Sequence, residues 1–163
     1  MNPIDIVAVA VKALDDKKAQ NIQVFEITEL TTLGDYLIIA NGGSSTQVRA
    51  LSDEVEYRLS QEGLEPDHIE GRSTNWYLLD YKSVMIHVFG KDAREFYNLE
   101  RLWADAKPVD ISGYITEAYE KRGYFQKKHL RIQKSRKNGK KNGKKQGCFM
   151  QRTILIKKNS LLW

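Results

Sequence analysis

Two apolar stretches separated by only two residues constrain the fold of this chain more than any other feature. Residues Trp76–Tyr81 and Val84–Gly90 are rich in aromatic and branched side chains, and Lys82-Ser83 lies between them. This spacing predicts two antiparallel strands joined by a tight turn. Side chains alternate between the two faces of a strand, so one face of the hairpin is wholly apolar or aromatic and is expected in the core. Its predicted pairs are Tyr81 with Val84, Leu79 with Ile86 and Tyr77 with Val88.

The other face of the hairpin mixes apolar and polar side chains. Its members are Trp76, Leu78 and Asp80 on the first strand and Phe89, His87 and Met85 on the second. Large aromatic side chains beside an acid and an imidazole are typical of a sheet face that meets a partner. The composition equally allows helices to cover this face, with His87 a half-buried side chain whose hydrogen bonds are satisfied. The residues alone leave both arrangements open.

Further helices and strands are predicted around the hairpin. Apolar residues recur at three- and four-residue steps after Asn2, Ser44 and Asp92, which indicates three amphipathic helices. Asn2 is a favourable N-cap, and Ser44 with Gln47 and Asp92 with Glu95 match the capping box. The predicted elements are a helix from Asn2 to residues 17–19, strands at 22–27 and 36–40, a helix from Ser44 to Gly63, a short extended piece at 68–70, a helix from Asp92 to Trp103 with Phe96, Leu99 and Trp103 on one stripe, and an irregular stretch at 104–117.

This order of helices and strands predicts an α/β fold in which a mixed β-sheet is flanked by helices. The run Tyr36–Ala40 is continuously apolar, which is typical of a central strand covered on both faces. The hairpin and the strand at 22–27 are expected to lie in the same sheet.

Charge divides the chain into two parts. Residues 1–117 hold eleven Lys/Arg and twenty Asp/Glu, a net charge of −9, whereas residues 118–163 hold fifteen Lys/Arg and the single acid Glu120, a net charge of +14. We therefore predict an acidic α/β domain over residues 1–117, suited to a basic partner, and a basic, flexible extension over 118–163. For the extension two interpretations stay open: contact with RNA phosphates, or a solvated, disordered segment without that role.

The compartment is constrained by cysteine usage and by the N-terminus. The one cysteine, Cys148, cannot form an intramolecular disulfide, which agrees with a reducing cytoplasm. The first residues lack the basic region of a signal peptide, and no apolar run approaches the roughly 18 residues of a membrane span. We expect a soluble, cytoplasmic protein with no membrane contact. The sequence leaves the oligomeric state open, a homodimer included.

The segment Gly42-Gly43-Ser44 suggests an enzymatic alternative. It precedes a predicted helix, and helix N-termini bind anions such as phosphate. A glycine pair or Gly-Ser before a helix is also typical of nucleotidyltransferases, so a nucleotidyltransferase-like enzyme is the alternative function. The segment is not a Walker motif, because no Lys-Ser/Thr follows it. We interpret the glycines as residues that turn the chain.

The acids nearest to these glycines do not match nucleotidyltransferase chemistry. Such enzymes hold catalytic metal with two carboxylates one residue apart on a strand. Asp53, Glu54 and Glu56 fall within a predicted helix, where positions i and i+2 point to different sides. The histidines are scattered and show no metal-ligand spacing. We therefore predict no catalytic residues, no metal and no cofactor.

A series of blocks in the first 112 residues resembles the Iojap family of ribosomal silencing factors, RsfS. The resemblance covers roughly residues 3–112, and the combination of blocks is highly specific. The matching blocks are residues 25–31 (Phe-Glu-Ile-Thr-Glu-Leu-Thr), 35–40 (Asp-Tyr-Leu-Ile-Ile-Ala), 45–50 (Ser-Thr-Gln-Val-Arg-Ala), Glu70-Gly71, 76–81 (Trp-Tyr-Leu-Leu-Asp-Tyr), 87–89 (His-Val-Phe) and 94–103 (Arg-Glu-Phe-Tyr-Asn-Leu-Glu-Arg-Leu-Trp).

The resemblance implies a nucleotidyltransferase-like fold without known enzymatic activity. It implies binding to the large ribosomal subunit through ribosomal protein fourteen at the intersubunit face, which blocks joining of the small subunit and represses translation under nutrient limitation. The acidic domain agrees with a basic ribosomal partner. By matching position, the implied partner-binding residues are Trp76, Leu78, Asp80, His87, Arg94 and Tyr97.

The chain departs from the family pattern at two places. Lys82 stands in the turn where family members often have glycine, which bears on the predicted hairpin register. Family members usually end soon after the helix that contains Trp103, so the resemblance implies nothing about residues 118–163. Contact of that extension with ribosomal RNA is therefore an expectation from charge alone.

Overall fold

The computed structural model describes residues 1–72 and 75–115. The predicted basic extension, its proposed RNA contact and the boundary at residue 117 lie outside the described residues.

Four helices and six strands make up the described part of the chain. Their bounds are α1 Pro3–Asp16, β1 Gln20–Glu26, β2 Tyr36–Gly42, α2 Ser45–Gln61, β3 His68–Glu70, β4 Trp76–Asp80, β5 Val84–Gly90, α3 Lys91–Tyr97, α4 Leu99–Leu102 and β6 Lys107–Pro108.

The strands form one mixed sheet in the order β3-β4-β5-β2-β1-β6. The two central strands, β2 and β5, are parallel, and every other neighbouring pair is antiparallel. A parallel pair needs a long crossover, which here contains α2. The predicted mixed sheet flanked by helices is therefore confirmed.

Helices cover the two faces of the sheet unequally. The long helices α1 and α2 pack on one face and bury a largely aliphatic core against it, with Tyr77 and Tyr81 as its buried aromatic members. On the opposite face a smaller cluster joins Trp76, Leu78, Met85 and Phe89 to Leu99 and Trp103, with Ala106 beside them. Alternate residues of β2 contribute to each cluster, since Ile38 and Ala40 lie in the first, and Leu37 and Ile39 in the second. The predicted central strand is thus covered on both faces.

The predicted hairpin and its register are confirmed. Tyr77 pairs with Val88, and Leu79 pairs with Ile86. In the turn Lys82 has φ +65°, a left-handed conformation that favours glycine. The carboxylate of Asp80 accepts a hydrogen bond from the Lys82 backbone N–H at 2.8 Å, which supports the turn without glycine. The departure from the family pattern at Lys82 therefore leaves the register unchanged.

Two helix starts differ from the prediction. Asn2 is the N-cap of α1, as predicted, and Pro3 lies in the first turn, but the Asn2 side chain makes no capping hydrogen bond; its carbonyl accepts from the Asp5 and Ile6 N–H groups. The predicted capping box of Asp92 and Glu95 is wrong. Because β5 leads directly into α3, the N-cap is Gly90, and Asp92 lies within the first turn and not before it.

The predicted helix from Asp92 to Trp103 is interrupted at Asn98. Asn98 has φ +43°, in the left-handed region that asparagine tolerates better than most residues. The change of direction separates α3 from α4 and places Phe96 outside the stripe that was predicted for it with Leu99 and Trp103. Within residues 104–115, predicted as irregular, Lys107–Pro108 pairs with β1.

Candidate functional site

The six residues predicted to bind a partner lie on or beside the second face of the sheet, but most of them are buried. Trp76, Leu78, His87 and Arg94 are each at most 6% exposed. Asp80 is half-buried, and Tyr97 is 40% exposed. Of the two arrangements that the sequence left open, the covered face is the one observed, because α3, α4 and Trp103 lie over it. Partner contact by the six residues stays a prediction.

The buried polar groups of this face hydrogen-bond to each other. The Trp76 Nε1–H donates to His87 Nδ1 at 3.0 Å. The two residues are diagonal neighbours on β4 and β5, since Trp76 pairs directly with Phe89 and His87 with Leu78. This geometry requires Nδ1 to be unprotonated, so the ring proton of a neutral His87 lies on Nε2. The indole also stacks on Phe89, with ring centroids 4.9 Å apart. His87 is thus a structural partner of Trp76, more deeply buried than the half-buried histidine of the alternative arrangement.

The exposed aromatic side chains of this region are on α3. Tyr97 lies over the Trp76 indole, with centroids 4.4 Å apart, and keeps part of its ring in solvent. Phe96 contacts Tyr97 edge-on, at 5.0 Å and 88°, and is 81% exposed. We call Phe96 and Tyr97 the aromatic edge. Sequence reasoning missed Phe96 because it assumed a continuous helix; Asn98 was the available signal for a break.

Arg94 lies on the inner side of α3, and its guanidinium joins four elements. Its Nε donates to Glu100 Oε1 at 2.8 Å, across the break between α3 and α4. Its Nη1 donates to the Asn21 carbonyl in β1 and to Asn41 Oδ1 in β2, both at 2.7 Å. Only 7% of the Arg94 side chain and 13% of the Glu100 side chain are exposed. Arg94 therefore fastens α3 to the sheet.

Asp80 has a local role at the end of the hairpin. Its carboxylate supports the Lys82 turn, and the Lys82 ammonium reaches Asp67 Oδ1 at 3.3 Å. Asp67 precedes the edge strand β3, and its backbone N–H donates to the Asp80 carbonyl. The acidic side chains at this edge are thus partly neutralised within the domain.

The glycines before α2 permit close packing of the chain. A Cβ on Gly42 would lie 2.9 Å from the backbone nitrogen of Val48, so only glycine fits without a shift of the helix. Ser44 Oγ accepts from the Gln47 N–H at 3.2 Å, as the capping box predicts. Gln47 Oε1, however, accepts from the Gly43 N–H at 2.8 Å, one residue before the expected position. This geometry supports the interpretation of the glycines as turn residues.

The acids of α2 are separated from one another by their ion pairs. Asp53 pairs with Arg49, Glu56 with Arg72, and Glu54 with both Lys17 and Arg58. Burial alone would raise the pKa of Glu54, but hydrogen bonds from Arg58 and Lys17 outweigh it and lower the pKa. Of the three carboxylates only Glu54 links α2 to the end of α1, through Lys17, and each carboxylate pairs with different cations.

A polar cavity of about 440 Å³ lies at the carboxyl ends of the parallel strands β2 and β5. In open α/β sheets this is where ligands bind, at the point where successive helices pass to opposite faces. Here its wall contains Arg94, which already donates hydrogen bonds to Asn41 and Glu100 in the same wall. The other lining residues are Gln20, Asn21, Lys91, Glu95 and Asn98. Among the described residues no group of three or more His, Cys, Asp or Glu side chains is placed to hold a metal ion. Nor does that part of the chain contain a helix long and apolar enough to cross a membrane.

The fold and this site define a class: a small mixed α/β domain whose outermost aromatic side chains are carried by a short helix fastened to the sheet. The family model described as ribosomal silencing factor during starvation, RsfS, matches residues 1–144. The chain belongs to this family. The match extends past residue 117, where charge predicted the domain to end.

Curated relatives and a solved structure agree with this assignment. A ribosomal silencing factor RsfS of Halalkalibacterium halodurans is 36% identical over 117 residues, which cover 71% of this chain and all of that protein. The protein of the same name from Bacillus subtilis is 37% identical over 112 residues, covering 68% of this chain and 95% of that one. A crystal structure of a protein from Chromobacterium violaceum superimposes with a TM-score of 0.63 at 33% identity, over 70% of this chain and 96% of that one.

Proposed function

We propose that this chain binds the large ribosomal subunit through ribosomal protein fourteen at the intersubunit face, in the cytoplasm, and thereby blocks joining of the small subunit. Membership of the ribosomal silencing factor family supports this proposal most directly. Steric exclusion needs no chemistry from the bound protein, so we propose a regulator and not an enzyme. The relatives named above are likewise called silencing factors.

The aromatic edge is the surface that we propose to contact the partner. Exposed aromatic side chains are enriched among the residues that dominate binding energy at interfaces. Phe96 is almost fully exposed, and Tyr97 rests on the buried Trp76, so part of the contact surface is rigid before binding. A net charge of −9 over residues 1–117 favours encounter with a basic ribosomal protein.

The six predicted contact residues differ in burial, and we propose different roles for the exposed and the buried ones. Tyr97 and the half-buried Asp80 can reach a partner directly. Leu78, His87 and Arg94 support the covered face from below, and Trp76 supports the Tyr97 ring. We therefore propose Phe96, Tyr97 and Asp80 as direct contacts, with the other four residues acting through them.

The test is sedimentation with purified large subunits, together with a light-scattering assay of subunit joining. The wild-type chain is expected to travel with large subunits and to slow joining. Replacing both Phe96 and Tyr97 by alanine should weaken binding by at least about thirtyfold, since truncation of a central aromatic anchor costs about 2 kcal/mol or more.

Tyr57→Ala is the matched control, because Tyr57 is 60% exposed on α2 at the other face of the sheet. It should bind as the wild type does. If the wild-type chain bound neither large subunits nor isolated protein fourteen, the proposed function would be wrong. If the Tyr57 variant lost binding and the double variant kept it, the proposed function would stand. The contact surface would then lie on the α1–α2 side of the sheet and not at the aromatic edge.

A chain lacking residues 118–163 tests the alternative of RNA binding through the basic extension. We expect it to keep binding to large subunits, with a weaker dependence on salt, because fewer cations would neutralise phosphates. Loss of all binding on truncation would favour the extension as the recognition element.

A further inference from the structure

The orientation of α3 depends on contacts outside the helix. With seven residues it is shorter than helices that are stable in isolation, and no side chain caps its N-terminus. Its C-terminus is the left-handed Asn98, after which α4 adds only four residues. Local propensity therefore does not hold the aromatic edge in one place.

The Arg94 guanidinium supplies the missing restraint from three directions. One bond closes the α3–α4 break through Glu100, and two bonds tie the helix to β1 and β2. Arg94 is three residues before Tyr97 and two before Phe96. Pinning Arg94 against the sheet therefore fixes the rotation of α3 about its axis, which points Phe96 outward and lays Tyr97 on Trp76.

A buried charge pair of this kind is weak as a source of stability. Removing an arginine and a glutamate from water offsets much of their attraction, and such pairs are best attested as devices that select one arrangement. A lysine ammonium cannot replace the guanidinium, whose rigid, planar fork donates in several fixed directions at once. The geometry thus suits a residue that positions its neighbours.

We propose that Arg94 is a positioning residue for partner binding: with Glu100, Asn21 and Asn41 it holds α3 in the one orientation that presents Phe96 and Tyr97 to the ribosomal partner. This role rests on the proposed function. It differs from the direct partner contact that the family resemblance implies for Arg94, because the guanidinium is covered and bonded within the domain.

A double-mutant cycle separates positioning from direct contact. The affinity for ribosomal protein fourteen would be measured for the wild type, for Arg94→Lys, for the Phe96→Ala/Tyr97→Ala variant, and for the combination of all three changes. If Arg94 acts through the aromatic edge, Arg94→Lys should weaken binding about tenfold alone but less than about twofold when the edge is already removed. Equal losses in both backgrounds would mean that Arg94 contacts the partner itself, and would overturn the proposal.

Arg58→Lys is the matched control. Arg58, like Arg94, joins separate elements through its guanidinium, which pairs with Asp16 in α1 and Glu54 in α2, but it lies on the opposite face of the sheet. It should leave the affinity unchanged within about twofold. If Arg58→Lys lowered the affinity as much as Arg94→Lys does, both substitutions would act by loosening the domain as a whole. That outcome would also overturn the proposal.

Hydrogen exchange of the free protein provides a readout that needs no partner. Arg94→Lys and the milder Glu100→Gln should speed amide exchange in α3 and α4 at least about tenfold, while α1 and α2 keep their protection. Unchanged exchange in α3 would overturn the proposal even if affinity fell. If the wild type bound no ribosomal partner, the proposed function would be wrong. Hydrogen exchange of the α3 amides would still show whether Arg94 holds α3 against the sheet. Protection retained in α1 and α2 shows that a variant is folded.

Discussion

The two faces of the sheet are built in different ways. The face under α1 and α2 is a largely aliphatic core covered by helices of 14 and 17 residues. The face under α3 and α4 has helices of seven and four residues over aromatic side chains, a Trp–His hydrogen bond and a buried ion pair. The first arrangement holds the domain together with non-directional packing. The second depends on a few directional contacts, which hold the aromatic edge of α3 at the surface.

The largest expected difference between the faces is in the free energy of unfolding. Leu51→Ala on α2 removes a fully buried side chain from the aliphatic core and should cost about 3–4 kcal/mol. Leu99→Ala on α4 should cost only about 2 kcal/mol, because four residues near the surface can relax into the space left behind. Urea unfolding at neutral pH measures both. Equal costs would mean that the two faces contribute alike to stability.

The next largest effect on stability is expected at Gly42, where β2 ends before α2 begins. Gly42→Ala forces a Cβ to within 2.9 Å of the Val48 backbone nitrogen and should destabilise the domain by about 1–3 kcal/mol. Gly43→Ala is the matched control, since its Cβ would meet nothing closer than 3.4 Å and the backbone is not left-handed there. Thermal unfolding of the pair would show whether Gly42 alone is required. A stable Gly42→Ala variant would contradict the close packing described here.

On the second face, Trp76→Phe should cost about 1–2 kcal/mol of stability. The change removes the Nε1–H donor and leaves the His87 Nδ1 acceptor without that bond in a buried setting. Near-ultraviolet circular dichroism should also change, because the Trp76 ring stacks with Phe89 and Tyr97. Tyr57→Phe, at an exposed position on α2, serves as the control and should be neutral. A neutral Trp76→Phe would show that the Trp–His bond adds nothing to the covered face.

The smallest expected effect is a pH dependence on the α1–α2 side. The pKa of Glu54 is lowered in the folded state, so its ion pairs stabilise the domain above the ordinary glutamate value of 4.5, and this contribution is lost as the pH falls through the lowered pKa. With 16% of the side chain exposed, the contribution should be at most about 1 kcal/mol. The difference in unfolding free energy between the wild type and Glu54→Gln, measured from pH 7 to pH 3, should shrink towards acid. A difference that grew towards acid would contradict the direction of the shift.

Local patterns predicted much of the architecture from sequence. The hairpin register followed from two-residue alternation on either side of a two-residue turn, and it was confirmed although Lys82 adopts the left-handed conformation that favours glycine. The central strand followed from the apolar run of β2, and the second helix from Ser44 and Gln47. Each of these depends on neighbours within a few positions. Family membership was likewise predicted, because it rests on blocks of adjacent residues.

The candidate site was less predictable, because exposure is not a local property. The residues of β4 and β5 are compatible with an open or a covered face, and the outcome depends on where α3 and α4 lie. That position is set by Asn98, which breaks a helix that its apolar spacing would continue, and by Arg94, which reaches residues 73 and 53 positions away. By itself, then, the sequence determined the strands β1 to β5, the hairpin register and the family, whereas β6 became visible only through its pairing with β1. The tertiary structure alone decided that Trp76 and His87 lie inside and Phe96 outside, since burial is decided by contacts between distant segments.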